Sequence, residues 1–150
     1  MPDLDPEHVK IVFPLEQDED GYPPYAVENL WALRRADGFE LDNIPWYAKG
    51  VASGDLINAQ PDADGRLVFP SVIRRGGNST LRVWLPDAAD CQQLRDTLAQ
   101  LGATSEMNGT RFLSVDVPAS AITAVWAHLE EGEAAGRWEF EVGHLDQAQP

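Results

Sequence analysis

Apolar residues fall in short runs up to residue 76 and in two alternating periods after it. Val9 to Leu15 (Val-Lys-Ile-Val-Phe-Pro-Leu) reads as a short strand, with Pro14 marking an edge or an end because proline donates nothing to a ladder. Val27 to Arg35 reads as a second strand. Asp37-Gly38 then offers a hairpin turn, after which Phe39 and Leu41 alternate with Glu40 and Asp42. Asp55 to Ala59 is another short strand, opened by the Gly54-Asp55 corner. Pro61 to Gly65 turns the chain, and Arg66 to Arg75 returns as a strand interrupted by Pro70. Turn residues every ten or so positions, without a helical period, predict a small, strongly bent or barrel-like sheet over residues 1–76.

From residue 77 the pattern changes. Leu81, Val83 and Leu85 alternate with Arg82 and Trp84. Pro86-Asp87 supplies an N-cap, and Leu94, Leu98 and Leu101 line one helical face before Gly102 stops it. Ala103 to Met107 is a strand, Asn108-Gly109 a hairpin turn, and Thr110 to Val117 a strand carrying Leu113, Val115 and Val117 on one side. Pro118 starts a helix with Ile122, Val125, Trp126 and Leu129 at i, i+3, i+4, i+7. Arg137 to Val142 closes the series, with Trp138, Phe140 and Val142 inward and Glu139 and Glu141 outward. The order β-α-β-β-α-β predicts a ferredoxin-like domain over residues 77–150, making the chain α+β. Arg74 to Ser79 reads as the connector.

This topology puts Arg82, Trp84, Phe112, Ser114, Asp116, Glu139 and Glu141 on the face that the helices leave open. Trp84 and Phe112 are expected to be neighbours there. Packing of this face against the first half is the preferred explanation for so much outward aromatic surface. A protein-binding patch comes second, and stacking of RNA bases is the weakest of the three.

Composition then narrows the partners. With 25 Asp+Glu against 11 Lys+Arg, the 150-residue chain carries a formal charge of −14, which opposes binding to phosphates and favours a basic partner. A hydrophobic fraction of 43% is enough for a buried core. One cysteine, Cys91, permits no intrachain disulfide and no thiolate cluster. No apolar run reaches the roughly 20 residues of a membrane helix, and Met1 to Glu7 has no export-signal character, so a cytoplasmic protein is expected.

Candidate chemistry is sparse. His8, His128 and His144 have no ligand spacing, and no serine lies in a nucleophile-elbow context, so no catalytic residue, metal or cofactor is assigned. Cys91, at a helix start, reads as a packing residue. Acidic positions offer two candidate contact surfaces: Asp18, Glu19 and Asp20 in a proline-bearing loop, and Glu130, Glu131, Glu133, Glu139 and Glu141 near the last helix and strand. A second possibility is a small-ligand or enzymatic cleft between the halves, rimmed by Asp42, Lys49, Asp55 and Arg74. Asp55 also has a purely structural reading, as a carboxylate capping its own turn.

The stretch Leu41-Asp42-Asn43-Ile44-Pro45-Trp46-Tyr47-Ala48-Lys49-Gly50-Val51-Ala52-Ser53-Gly54-Asp55 is too dense in aromatics and turn formers for a linker. Together with Glu28-Asn29-Leu30-Trp31-Ala32 and Asp20-Gly21-Tyr22-Pro23-Pro24, it resembles a bacterial family of uncharacterised domain-of-unknown-function proteins. That resemblance implies no activity and brings no catalytic residues. Size and charge are similar to those of immunity proteins, which neutralise bacterial toxins. The expected function is a non-enzymatic acidic binding protein for a basic protein partner, with no role in binding nucleic acid or membrane.

Overall fold

The computed structural model describes residues 8–146, so the Met1–Glu7 stretch read above for an export signal lies outside them. The first half forms β1 (His8–Pro14), β2 (Val27–Arg35), β3 (Gly38–Leu41), β4 (Leu56–Ile57), β5 (Gln60–Pro61), β6 (Leu67–Val68) and β7 (Val72–Arg74). These build one curled, half-barrel sheet in the order β5-β6-β1-β2-β3-β4-β7. Its spine is the antiparallel β1–β2 ladder, running from His8 opposite Leu33 to Pro14 opposite Val27. Alternation buries Ile11 and Phe13 from one strand, and Leu30 and Ala32 from the other. Pro14 is the last residue of β1, where its missing donor does no damage.

The interruption at Pro70 matters more than the sequence reveals. β6 pairs in parallel with β1, whereas β7 pairs with β4 at the far edge of the sheet. Three residues, Phe69 to Ser71, therefore join opposite ends of the sheet. They are tied down by Phe69 N–H donating to Val12 O (2.9 Å) and by Asn58 N–H donating to Ser71 O (2.9 Å). A link this short forces the curl.

The second half supplies β8 (Ser79–Trp84), α1 (Cys91–Gln100), β9 (Thr104–Asn108), β10 (Phe112–Val117), α2 (Ile122–Ala134) and β11 (Glu139–His144). Its sheet runs β11-β8-β10-β9, antiparallel at every step. Asp87 caps the short 3-10 turn ahead of α1 by accepting from Ala89 N–H (2.9 Å). Gly102, at φ +101°, ends α1, and Ala103 N–H folds back on Leu98 O (2.9 Å). Leu81, Val83, Leu113 and Val115 form a core with Leu94, Leu98, Val125 and Leu129 from the helices. At about 25 cal/mol per Å² of apolar surface, such burial is the main force holding the helices on the sheet. Val142 departs from the expected inward position and is half-exposed. It lies on an edge strand whose register shifts between Val142 and His144, at the margin of the helical cover.

The other face of this sheet meets residues 44–52 of the first half. Ser114 Oγ donates to Pro45 O (2.6 Å), Thr80 Oγ1 to Val51 O (3.0 Å), and the Arg82 guanidinium to Ala48 O. Gly50 N–H donates to Gly143 O (2.9 Å). The aromatic-rich central stretch is thus the piece that docks one sheet on the other.

Candidate functional site

The docking segment covers only part of the open face. Reading across β11, β8, β10 and β9, one row consists of Glu139, Trp84, Phe112 and Asn108, and the next of Glu141, Arg82, Ser114 and Glu106. The second row is sealed at Arg82 and Ser114, which are 1% and 0% exposed. In the first row, Phe112 is packed by Trp46 (centroids 5.7 Å apart) and Tyr47 (5.8 Å, stacked), while Trp84 stays 45% exposed. Trp84 and Phe112 are therefore cross-strand neighbours as expected, but of the two the first half covers only Phe112. Residues 45–48 reach β10 and stop short of Trp84.

A groove of about 510 Å³ results, with Trp84 and Phe112 as its floor, Tyr22 and Tyr47 as a wall, and Glu139 and Glu141 along one side. A second hollow of about 480 Å³ shares Tyr22, Tyr47 and Glu141 with it and is also lined by Glu16, Asp18 and Lys49. The wall is braced by edge-to-face packing of Tyr22 on Tyr47 (6.0 Å), with Tyr25 tilted against the same ring (5.8 Å). Burial raises the pKa of both phenols, and Glu141 adds to the rise at Tyr22 and Tyr25 at Tyr47, so both remain neutral donors.

Two buried charges set this geometry. Glu28 accepts from the N–H groups of Trp46 (2.6 Å), Tyr47 (3.0 Å) and Ala48 (2.9 Å), fixing both aromatics from β2. Arg82 lies flat against Gly143, where a Cβ would strike its guanidinium, and Glu141 stands 3.8 Å from its Nη1. Burial pushes the arginine pKa down, and Glu141 and Glu28 pull it back. The Nε and Nη1 of Arg82 have no hydrogen-bond acceptor within the protein.

Among the acidic positions singled out in the sequence, Glu139 and Glu141 line this groove, and Asp18 lines the neighbouring hollow together with Glu141. Glu19 and Asp20 stay on the exposed loop beside it, where Asp18 Oδ1 accepts from Asp20 N–H and Tyr22 N–H (both 2.9 Å). Glu130, Glu131 and Glu133 belong to α2, on the opposite side of the sheet; Glu133 accepts from Phe140 N–H (3.0 Å).

The four residues of the alternative cleft do not share one cavity. Asp42 contacts His8 (3.1 Å), Arg74 faces Asp37 (3.6 Å), and Lys49 lines the acidic hollow. Asp55 is fully buried and accepts from Ala52 N–H (3.0 Å), Gly76 N–H (2.9 Å) and Arg75 Nη1 (3.1 Å). The supposed connector is thus a packed joint, with Gly76 pressed so closely on Gly54 that no side chain fits.

Cys91 is buried with its Sγ 2.9 Å from Met107 Sδ, and burial raises its pKa. Among the described residues, no group of three or more His, Cys, Asp or Glu side chains is arranged to hold a metal, and no helix is long and apolar enough to cross a membrane.

The sequence put Arg82 on this face but assigned neither it nor Glu28 to a site. Their signal was faint: Glu28 shares a strand face with Leu30 and Ala32, and Arg82 alternates with core residues.

The fold and groove together define a two-sheet α+β protein with an aromatic, carboxylate-lined groove. It is similar to the crystal structure of a hypothetical protein from Neisseria gonorrhoeae, with a TM-score of 0.79 and 21% identity over 93% of this chain and 96% of that one. At this identity the likeness concerns the fold alone. The chain belongs to the family described as Domain of unknown function (DUF4265), which matches residues 28–140. No protein of curated function matches it.

Proposed function

We propose that this is a non-enzymatic binding protein that captures a basic segment of another protein in the aromatic groove. Its most concrete form is a cytoplasmic immunity protein or inhibitor that occludes the cationic site of a bacterial toxin. The observation that carries the reading is convergence: Asp18 from the front loop and Glu139 and Glu141 from the last strand line two adjoining hollows that share Tyr22, Tyr47 and Glu141. Carboxylates speed encounter with a cationic partner, and the aromatics supply contact area with little entropy to lose. The net charge of −14 works in the same direction. The β11-β8-β10-β9 order with helices on one face reads as a ferredoxin-like arrangement whose open face serves both as dock for the first half and as binding floor. The central Leu41–Asp55 string and Glu28–Ala32 read as the family's marks because the first supplies Tyr47 to the groove's wall and the second holds it through Glu28.

Affinity capture from a native host with the full chain tests the proposal. A basic protein is expected, with retention falling steeply as salt rises and its activity blocked stoichiometrically. The triple variant Asp18→Asn, Glu139→Gln, Glu141→Gln abolishes capture, while Glu130→Gln with Glu131→Gln leaves it intact. Retention that ignores salt, or survives the triple variant, refutes the reading.

A further inference from the structure

We infer that the groove seats the guanidinium of an arginine in the partner, stacked on Trp84 and paired with Glu139. This rests on the reading above and names the side chain that the groove selects. Trp84 is 45% exposed, with Phe112 directly beside it on β10 and Glu139 directly beside it on β11. A flat cation lying on that indole has Glu139 on the β11 side and Phe112, packed by Tyr47, on the β10 side.

Arginine suits this seat better than lysine for three reasons. Its planar group stacks on an aromatic face, its fork can bond both oxygens of one carboxylate, and it gives up water more readily than an ammonium. The groove, at about 510 Å³, has room for such a side chain together with the main chain that bears it.

Arg82 does not disqualify the seat. Arg82 also lines the groove, but at 1% exposure its guanidinium is bonded to Ala48 O and faced by Glu141 at 3.8 Å, which leaves Glu139 as the carboxylate for the seat. A nucleic-acid base on the same aromatics would bring its phosphates towards Glu139 and Glu141, on a chain of charge −14.

The test compares two short peptides of equal charge, one with three arginines between glycines and one with three lysines, titrated calorimetrically against the full chain at low salt. Chemical shifts of the Trp84 indole are followed in parallel. Arginine is expected to bind about tenfold more tightly than lysine. Trp84→Ala and Glu139→Gln, both at exposed positions, are expected to remove that preference while the circular dichroism stays unchanged. Glu130→Gln on the helical side leaves it alone. Equal or tighter lysine binding overturns the arginine seat but spares the capture of a basic partner. Binding of neither peptide, or displacement of the arginine peptide by single-stranded RNA, overturns both.

Discussion

Asp116 sits where burial and charge are in conflict. It lies on β10 opposite Thr80, and among the described residues its only side-chain hydrogen-bond partner is Asn78 Nδ2, at 2.9 Å. Oδ1 is buried without a partner, and burial lifts the pKa from 3.8 to about 6, offset in part by the Asn78 bond and reinforced by Asp55. A carboxyl that holds its proton more tightly when folded stabilises the fold below its unfolded pKa, and this stabilisation is lost as pH rises through the folded value. Asp116→Asn should therefore raise unfolding stability at pH 7.5 by about 1–2 kcal/mol, allowing for partial solvent access, and the advantage should shrink between pH 6 and 4. Urea titrations of both proteins across that range check it; a gap independent of pH would mean that the buried charge is not the cause. At this scale the sequence was only partly legible. Alternation put Asp116, Arg82 and Ser114 on the open face correctly, but a period of two says nothing about what covers that face. The burial of Arg82 comes from Ala48, a residue 34 positions away. The turn at Asp55 was readable because its carboxylate acts within three residues, on Ala52.

Helices and long strands were legible because their partners are near in sequence and their periods run for several turns. The six-residue β8, β10 and β11 and both helices follow directly from the placement of Leu, Val and Ile. The two- and three-residue strands β4 to β7 carry almost no period, and the divergence of β6 from β7 at Pro70 depends on pairings with distant strands. Within α2, Gly132 has a task that periodicity hides. The Trp138 ring occupies the space where a Cβ would project, and its Nε1 donates to Leu129 O (2.9 Å), bonding the helix to the approach of β11. Glycine costs a helix interior about 1 kcal/mol relative to alanine, so propensity alone favours the substitution Gly132→Ala. Packing opposes it: the clash displaces an indole that is 4% exposed, and overpacking of this kind costs roughly 1–3 kcal/mol. The expected outcome is a lower melting temperature with a red-shifted tryptophan emission. A variant as stable as the parent would show that Trp138 has another place to go.

At the scale of the whole molecule there are two apolar cores, one inside the curled sheet and one between the second sheet and its helices. Two cores invite the expectation of two independent unfolding steps. The joint between them argues otherwise. Thr80, Ser114 and Arg82 are each at most 1% exposed, and each donates to a carbonyl of residues 45–51 rather than to its own sheet. If the first half melted alone, these donors would lose their acceptors, and Gly50 would release Gly143. Water would replace some of those bonds, but the covered face would also expose the aromatic contacts of Phe112 with Trp46 and Tyr47. Each lost bond to a buried donor weighs about 1 kcal/mol and the aromatic contacts add a similar amount, a sum comparable to the stability of a small sheet standing alone. The chain should therefore unfold in one transition, with far-ultraviolet dichroism (reporting both sheets) and tryptophan fluorescence giving the same midpoint in urea. The double variant Thr80→Val, Ser114→Ala removes two of the donors without enlarging either core. It should lower the midpoint and pull the two probes apart, because only the joint has been weakened. Coincident probes in that variant would mean that packing alone couples the halves, and separate probes in the parent would mean that nothing does.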